Sequence, residues 1–524
     1  MDVEKKMDTP FEDSSSTSEL STTQEGVTAA YEAKSTLINE HLQNEIGFGR
    51  YQLQLFFLTG LGWAADNIWL QGVAIILPQI QNELHPTRVE FATMSLFIGL
   101  IVAVFGIAAG GANNFTTICA LISCLGFGVG GNLPVDGAIF LEVLPKNQQW
   151  WLTLLSVWWA LGQLFASLVA WPLISNFSCG DPTHCLKADN KGWRYTFYVL
   201  GGVTAVMWIL RYVVFDLQES CKYLVAKGRD EEAIEVLEHI ARKNGKTITL
   251  TLESLRAVAK DETGQTGTII HLSTYQIVRN AFSSLSLSHV TPLFSTRRLA
   301  INTSITIANH MLCHSLIGLA YPLFNGFITL YLSTQIKNQT SSTYRTYRDY
   351  SIISVLGVPG SIIACLVVDY TRKNPNKFAM GGRKITMALS TALTGIFLFL
   401  FTTSKTEDAV LGYSLASGLT QIEYQSLSNS DIQVTSTRCT AFSTRIPPEV
   451  FPAPHRGTGD ALCSAFNRIC GVLAPVIKIV TTNPDGTAVG GTANGPIFVS
   501  ATLFMVASVL MLFLPIETAG KAAL

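Results

Sequence analysis

The chain has 524 residues, 48% of them hydrophobic and 14% charged, with a mean hydropathy of +0.32. That is too apolar for a soluble multidomain protein and makes the bilayer the expected solvent. The formal net charge of −1 argues against nucleic acid as a partner. No Gly-rich phosphate loop in a strand-helix setting, no metal-spaced His or Cys cluster and no nucleophile elbow occurs. An enzyme is therefore disfavoured, and neither cofactor nor metal is expected.

Residues 1–46 are acidic, rich in Ser and Thr and lack the apolar core of a signal peptide, so they are expected to form a disordered cytoplasmic tail. Ten apolar runs follow, near 54–82, 92–109, 117–142, 150–175, 195–216, 314–335, 350–368, 385–403, 461–481 and 496–515. A polar gap divides them five and five. The expected organisation is an N-terminal helical bundle at 47–216, a central cytoplasmic loop at 217–298 with an amphipathic helix from Glu231 to Lys243, a C-terminal bundle at 299–516 and a cytoplasmic tail at 517–524.

Charge sets the sides. The central gap is rich in Lys and Arg, and the short loop Asp369 to Lys384 carries Arg372, Lys373, Lys377, Arg383 and Lys384; both are placed on the cytoplasmic side. One span before the gap, "NFSCGDPTHC" holds a glycosylation sequon at Asn176 and two cysteines, Cys179 and Cys185, a combination that fits a lumenal loop closed by a disulfide. A second sequon at Asn338 lies one span beyond the gap.

Counting back from these anchors gives "ATMSLFIGLIVAVFGIAAGGANNF", Ala92 to Phe115, both flanks on the same side. A single crossing cannot do this, and about 18 apolar residues are too few for two crossings of about 20 each. The segment is re-entrant, or the tail is outside, or one span's worth of chain and its loop are missing. A similar gap occurs at 412–447, where no apolar run spans and Glu423, Asp431, Arg438 and Arg445 interrupt the sequence. Ten runs, one span lost by fusion and one by replacement make twelve.

The stretches "GFGRYQLQLFFLTGLGWAADNIWLQGVAIILP", "FGVGGNLPVDGAIFLEVLP", "SVWWALGQLFASLVAW", "ESCKYLVAKGRDEEAIEVLEHIARKNGK" and "PPEVFPAPHRGTGDALCSAFNRICGVLAP" resemble the major facilitator superfamily, and within it the sugar-porter-like and synaptic-vesicle-protein-like branch, over nearly all of 47–520. The resemblance implies an all-α membrane protein of two pseudo-symmetric helical bundles of the 12-span type, here with one fused span pair and one replaced span. It also implies cytoplasmic gates. The family's basic loop after the second span is missing. Its second-half counterpart survives as Asp369, Arg372, Gly382, Arg383 and Lys384, and Glu142, Glu449 and Arg456 match further gating positions. Read locally, Glu142 is equally a solvated interfacial charge.

Polar groups within apolar runs are the functional candidates. Asp66 either couples protons or binds solute, or makes a structural hydrogen bond in the bundle; burial would raise its pKa, as coupling needs. Asp136 follows a Gly-rich, Pro-broken turn and either faces solute or caps a kink. Related phosphate porters carry an acid at the place of Asn132, so phosphate is not the expected cargo. Asn67, Gln71, Gln163, Tyr321, Asn325, Asn467 and Arg468 complete the set, with Trp63, Trp69, Trp158 and Trp159 as flat apolar faces or as packing.

The sequence reading is a monomeric, multi-pass secondary carrier of a small polar solute, sugar-like or an organic acid or heterocycle. Its partners are that solute, membrane lipid and protons, and its membrane is the plasma membrane or an endomembrane with both termini cytoplasmic. The alternatives are a transport-inactive homologue acting as a sensor or binding protein, and a mis-spliced form without function.

Overall fold

The computed structural model describes residues 29–86, 88, 90–93, 104–129, 132–148, 150–179, 185–213, 218–258, 312, 315–334, 342–373, 382–404, 406, 408–420, 453–482 and 494–512. Every element among them is a helix. The sequon Asn338, Glu449 and most of 412–447 lie outside the described residues.

Residues 29–46, expected as part of a disordered tail, instead form α1 (Ala29–His41) and a π-helical turn (Leu42–Ile46). The composition of this stretch is polar, but Tyr31, Ser35, Ile38, Leu42 and Ile46 recur at helical spacing and are all buried. They pack on three helices of the central segment: α9 (Cys221–Ala226), α10 (Asp230–Lys243) and α11 (Leu252–Val258). Acids in the first turn of α10 and Arg242 and Lys243 in its last turn match the helix dipole. Lys34 donates to Asp230 at 2.6 Å, and Asn244 accepts from the Tyr51 N–H at 2.9 Å. This cap closes one end of the bundle, called here the tail end.

The Thr249 hydroxyl and N–H both donate to the exposed Glu45 carboxylate and hold it down to about 2, from an ordinary value of 4.5. A carboxylate whose folded pKa lies below its unfolded one stabilises above the unfolded value and loses that contribution as pH falls through the folded one. The protection of α1 amides, measured relative to their intrinsic exchange rate at each pH, is therefore expected to be the same at pH 7 and pH 5 and to fall between about 4.5 and 2. A Glu45→Gln chain is expected to show no such acid step, and equal acid steps in both chains would remove Glu45 from the account.

α2 (Arg50–Leu84) runs 35 residues from the cap to the opposite end, about 52 Å at 1.5 Å per residue, longer than the hydrocarbon core needs. The first half continues with α3 (Val104–Gly110), α4 (Phe115–Val129), α5 (Asn132–Glu142), α6 (Trp150–Leu154), α7 (Val157–Phe177) and α8 (Gly192–Val213). α2 packs on α5, α7 and α8. A Cβ on Gly162 would lie 2.4 Å from the Ala64 carbonyl, so only glycine permits the α2–α7 approach.

α8 shows how the sequence separates its faces. Trp193, Phe197, Leu200 and Thr204 are buried, whereas Tyr195, Tyr198, Val199, Val206, Ile209 and Val213 line the exposed face, Val213 being 78% exposed. Such an apolar exposed stripe is what a lipid-facing helix presents.

α7 ends at a loop in which Cys179 and Cys185 form a disulfide, defining the disulfide end. There Arg194 donates from Nη1 and Nη2 to the two carboxylate oxygens of Glu83, each at 2.7 Å, and Nη2 also donates to the Ala112 carbonyl at 3.2 Å. Glu83 additionally accepts from Trp193 Nε1 and Asn190 Nδ2. One guanidinium thus touches the last turn of α2 and the turn after α3. The two flanks of the short apolar stretch lie at the same end of the bundle, as counting back from the basic loops required.

The second half contains α12 (Ser315–Ser333), α13 (Thr343–Lys373), α14 (Gly382–Thr403), α15 (408–420), α16 (Ala453–Thr481) and α17 (Gly495–Leu512). α15 begins the segment expected as a replaced span, and Thr420 on it bonds Thr394 of α14 at 2.8 Å. Among the described residues, five helices are long and apolar enough to cross a membrane, α7 with α6, α12, α13, α14 and α17. The halves meet chiefly where α13 lies along α6 and α7 and where α12 lies on α2. Phe324, Phe327, Tyr331, Tyr347 and Tyr350 join Ile68, Ile75 and Ile76 in one apolar core shared by both halves, whereas the core at the tail end is built from the first half and its cap.

Candidate solute site

Midway along α2, Asn67 and Gln71 lie one turn apart and are buried among polar partners. Gln71 is the centre: its Nε2 donates to the Tyr321 hydroxyl at 2.8 Å and to Asn67 Oδ1 at 3.3 Å, and its Oε1 accepts from the Tyr350 hydroxyl at 2.6 Å. Asn67 in turn donates to the Trp159 carbonyl of α7 at 2.7 Å. Gln163, one turn further along α7, lies beside the same Tyr350 hydroxyl. The network therefore joins α2 and α7 of one half to α12 and α13 of the other.

Asp66 is 2% exposed in the same turn as Asn67, and its charge acts on Arg468 of α16. Asn467 packs against the bare backbone of Gly318 on α12, where a Cβ would come within 2.4 Å of its Oδ1. Asn325 is buried on the same helix. Asp66, Asn67, Gln71, Gln163, Tyr321, Asn325, Asn467 and Arg468 are thus gathered around one level of the two-bundle interface. Amides and phenols with one acid and one cation can orient a small polar solute by several directional bonds without imposing a net charge on it.

Asp136 is placed elsewhere. Its carboxylate, fully buried on α5, is held by both terminal nitrogens of Arg211 on α8, with Nη1 at 3.1 Å. Gly62 makes room for it, since a Cβ there would overlap Asp136 Oδ2. A buried carboxylate paired in this way ties three helices of the first half together. Asn132 lies on the same helix, α5.

Of the gating candidates, Glu142 sits at the end of α5 beside Cys221 and Lys222 of the cap; burial and the Glu142 charge push the Cys221 thiol up to about 12, which leaves it inert at neutral pH. Asp369 and Arg372 fall in the last turns of α13, Gly382 and Arg383 open α14, and Arg456 lies in the first turn of α16. Asn176 is exposed at the disulfide end, its Nδ2 donating to the Pro172 carbonyl at 2.9 Å. Trp63 and Trp69 are packing residues, the latter edge-on to Phe197 at 5.4 Å.

Sequence reasoning missed Tyr350, Arg211, Glu83, Arg194, Glu90 and Lys478. For Arg211 and Lys478 a signal existed: each is a cation within an apolar run, the pattern that singled out Arg468.

The family model "Major Facilitator Superfamily" matches residues 36–438. An uncharacterized MFS-type transporter of Schizosaccharomyces pombe is 38% identical, the alignment covering 94% of this chain and 90% of that one. The MFS siderochrome iron transporter 1 of Ceriporiopsis subvermispora is also 38% identical, over 94% of this chain and 92% of its own. Among solved structures, the proton:xylose symporter XylE bound to 6-bromo-6-deoxy-D-glucose superposes with a TM-score of 0.61 at 15% identity, covering 90% of this chain and 98% of that one. Two helical bundles meeting at a buried polar interface, matched over most of their length by these relatives, make the chain an integral, multi-pass membrane protein that belongs to the Major Facilitator Superfamily.

Proposed function

We propose that the chain is a proton-coupled secondary transporter of a small polar solute, working by alternating access of its two halves around the Gln71 network. The observation that carries this reading is the convergence of Gln71, Tyr321 and Tyr350, from both halves, on one buried point. A solute bound there engages both halves at once, so their relative movement changes the solute's access. Asp66 is the coupling group in this reading: protonation removes its hold on Arg468, and the pair re-forms when the proton leaves. The printed names of two relatives, a siderochrome iron transporter and a proton:xylose symporter, support small-solute transport and suggest xylose and ferric siderochromes as first test solutes. The tail end is placed in the cytoplasm and the disulfide end, with Asn176, outside or in a lumen.

Full-length protein in proteoliposomes with an imposed proton gradient tests it. Asp66→Asn is expected to lose uphill accumulation by at least about tenfold while keeping solute exchange. Unchanged pH-dependent accumulation by the variant would overturn the coupling role. A second reading, a protein that binds solute without carrying it, is favoured by the shortness of the stretch between α2 and α3. It predicts saturable binding with no uptake.

A further inference from the structure

We infer that Arg88, Glu90 and Lys478 form the gate that closes the disulfide end over the solute site. Just beyond α2, Arg88 and residues 90–93 of the first half meet the second half. Arg88 Nη1 donates to the Thr482 carbonyl at 2.5 Å, at the end of α16. Thr93 borders the bare backbone of Gly326, where a Cβ would stand 3.4 Å from its methyl group. Glu90, itself buried, acts electrostatically on both Lys478 and Tyr331. The Lys478 ammonium is 4.0 Å from the centre of the Phe327 ring and 4.9 Å from that of Tyr331.

The arrangement suits a part that opens repeatedly rather than a permanent joint. Lys478 is sequestered between two aromatic faces of its own half, and the acid that compensates it comes from the other half. Parting the halves returns both charges to water, so the open state strands no charge. On the same helix, Arg468 lies ten residues before Lys478, about 15 Å along the axis, with Pro475 between them. Proline removes one rung of the ladder, so the last turns of α16 can swing with Lys478 while Arg468 stays at the site. One helix therefore presents a cation to the first half at two depths, Arg468 toward Asp66 at the solute level and Lys478 toward Glu90 at the rim.

The gate rests on the transport reading, and its test needs no solute. In the full chain reconstituted into liposomes, Ser354→Cys places a reporter thiol one turn beyond Tyr350, on the tail-end side of the gate. Its alkylation by a membrane-impermeant sulfonated maleimide, added to the face that bears Asn176, is read against the parent chain. Glu90→Gln and Lys478→Met are each expected to raise the rate at least about fivefold, and Lys478→Arg to leave it near the parent value. Oxidative linking of a Glu90→Cys, Lys478→Cys pair should bring labelling to background, and reductant should restore it. Well-folded Gln and Met variants with unchanged labelling would overturn the gate; if they do not fold, a linked pair that leaves labelling unchanged does so. Altered labelling in a chain that takes up no solute would uphold the gate and remove the transport reading.

Discussion

Arg194→Ala is expected to leave little folded protein in the membrane. The guanidinium is almost fully buried, and it is the only cation among the described residues in contact with Glu83. Removing one partner of such a pair strands a buried charge, at a cost of about 3–5 kcal/mol. The Ala112 carbonyl loses its donor as well, adding about 1 kcal/mol. Set against total stabilities of about 5–15 kcal/mol, this is a large share. The monodisperse fraction in detergent and its thermal midpoint are the measurements. The double variant Glu83→Gln, Arg194→Met should recover much of the loss, because a neutral pair leaves no charge uncompensated. A single Arg194→Ala chain with the parent midpoint would show that the clamp contributes nothing.

Gln71→Leu is expected to reduce solute uptake most severely among the network residues, by about 10- to 100-fold at equal protein level. Leucine keeps the bulk but loses two donated bonds and one accepted bond, leaving the buried Tyr350 hydroxyl without its acceptor on α2. Each stranded group costs about 1–3 kcal/mol, and 1.4 kcal/mol is tenfold in an equilibrium constant. Tyr321→Phe removes one bond at the periphery and should cost about tenfold or less. Initial rates in proteoliposomes, corrected for folded protein, separate the two. Parent-level uptake by Gln71→Leu would place the solute elsewhere.

The sequence marked out most of the fold because apolar length is a local property: nearly every run of sufficient length is a helix where the structure describes it, and the described part of the polar gap, 218–258, is the cap segment. α1 escaped because its buried positions, Tyr31, Ser35, Ile38, Leu42 and Ile46, are spread among charged neighbours within a polar stretch. The residues gathered around Gln71 were legible for a different reason: an amide or acid inside an apolar run must find a partner, so its presence announces an interface. What could not be read was the identity of the partner. Glu83 and Arg194 are separated by 111 residues, and Asp136 and Arg211 by 75, and no periodicity encodes such pairings. Asp136 illustrates the consequence: in sequence it looked like a solute or kink residue, and the structure gives it Arg211. Tyr350 was passed over because an aromatic near the start of an apolar run has the same local appearance whether it packs or bonds.

The Arg194 clamp carries a consequence of parity. A segment that departs from α2 and returns beside it contributes an even number of membrane crossings, whatever path residues 94–103 take between. Shortening or lengthening such a segment leaves the orientation of every helix after Ala112 unchanged, whereas loss of a single crossing would turn all of them over. The segment from the end of α2 to the turn after α3 is therefore a place where a pair of crossings can be trimmed or restored as a unit, because one side chain from α8 holds both of its ends.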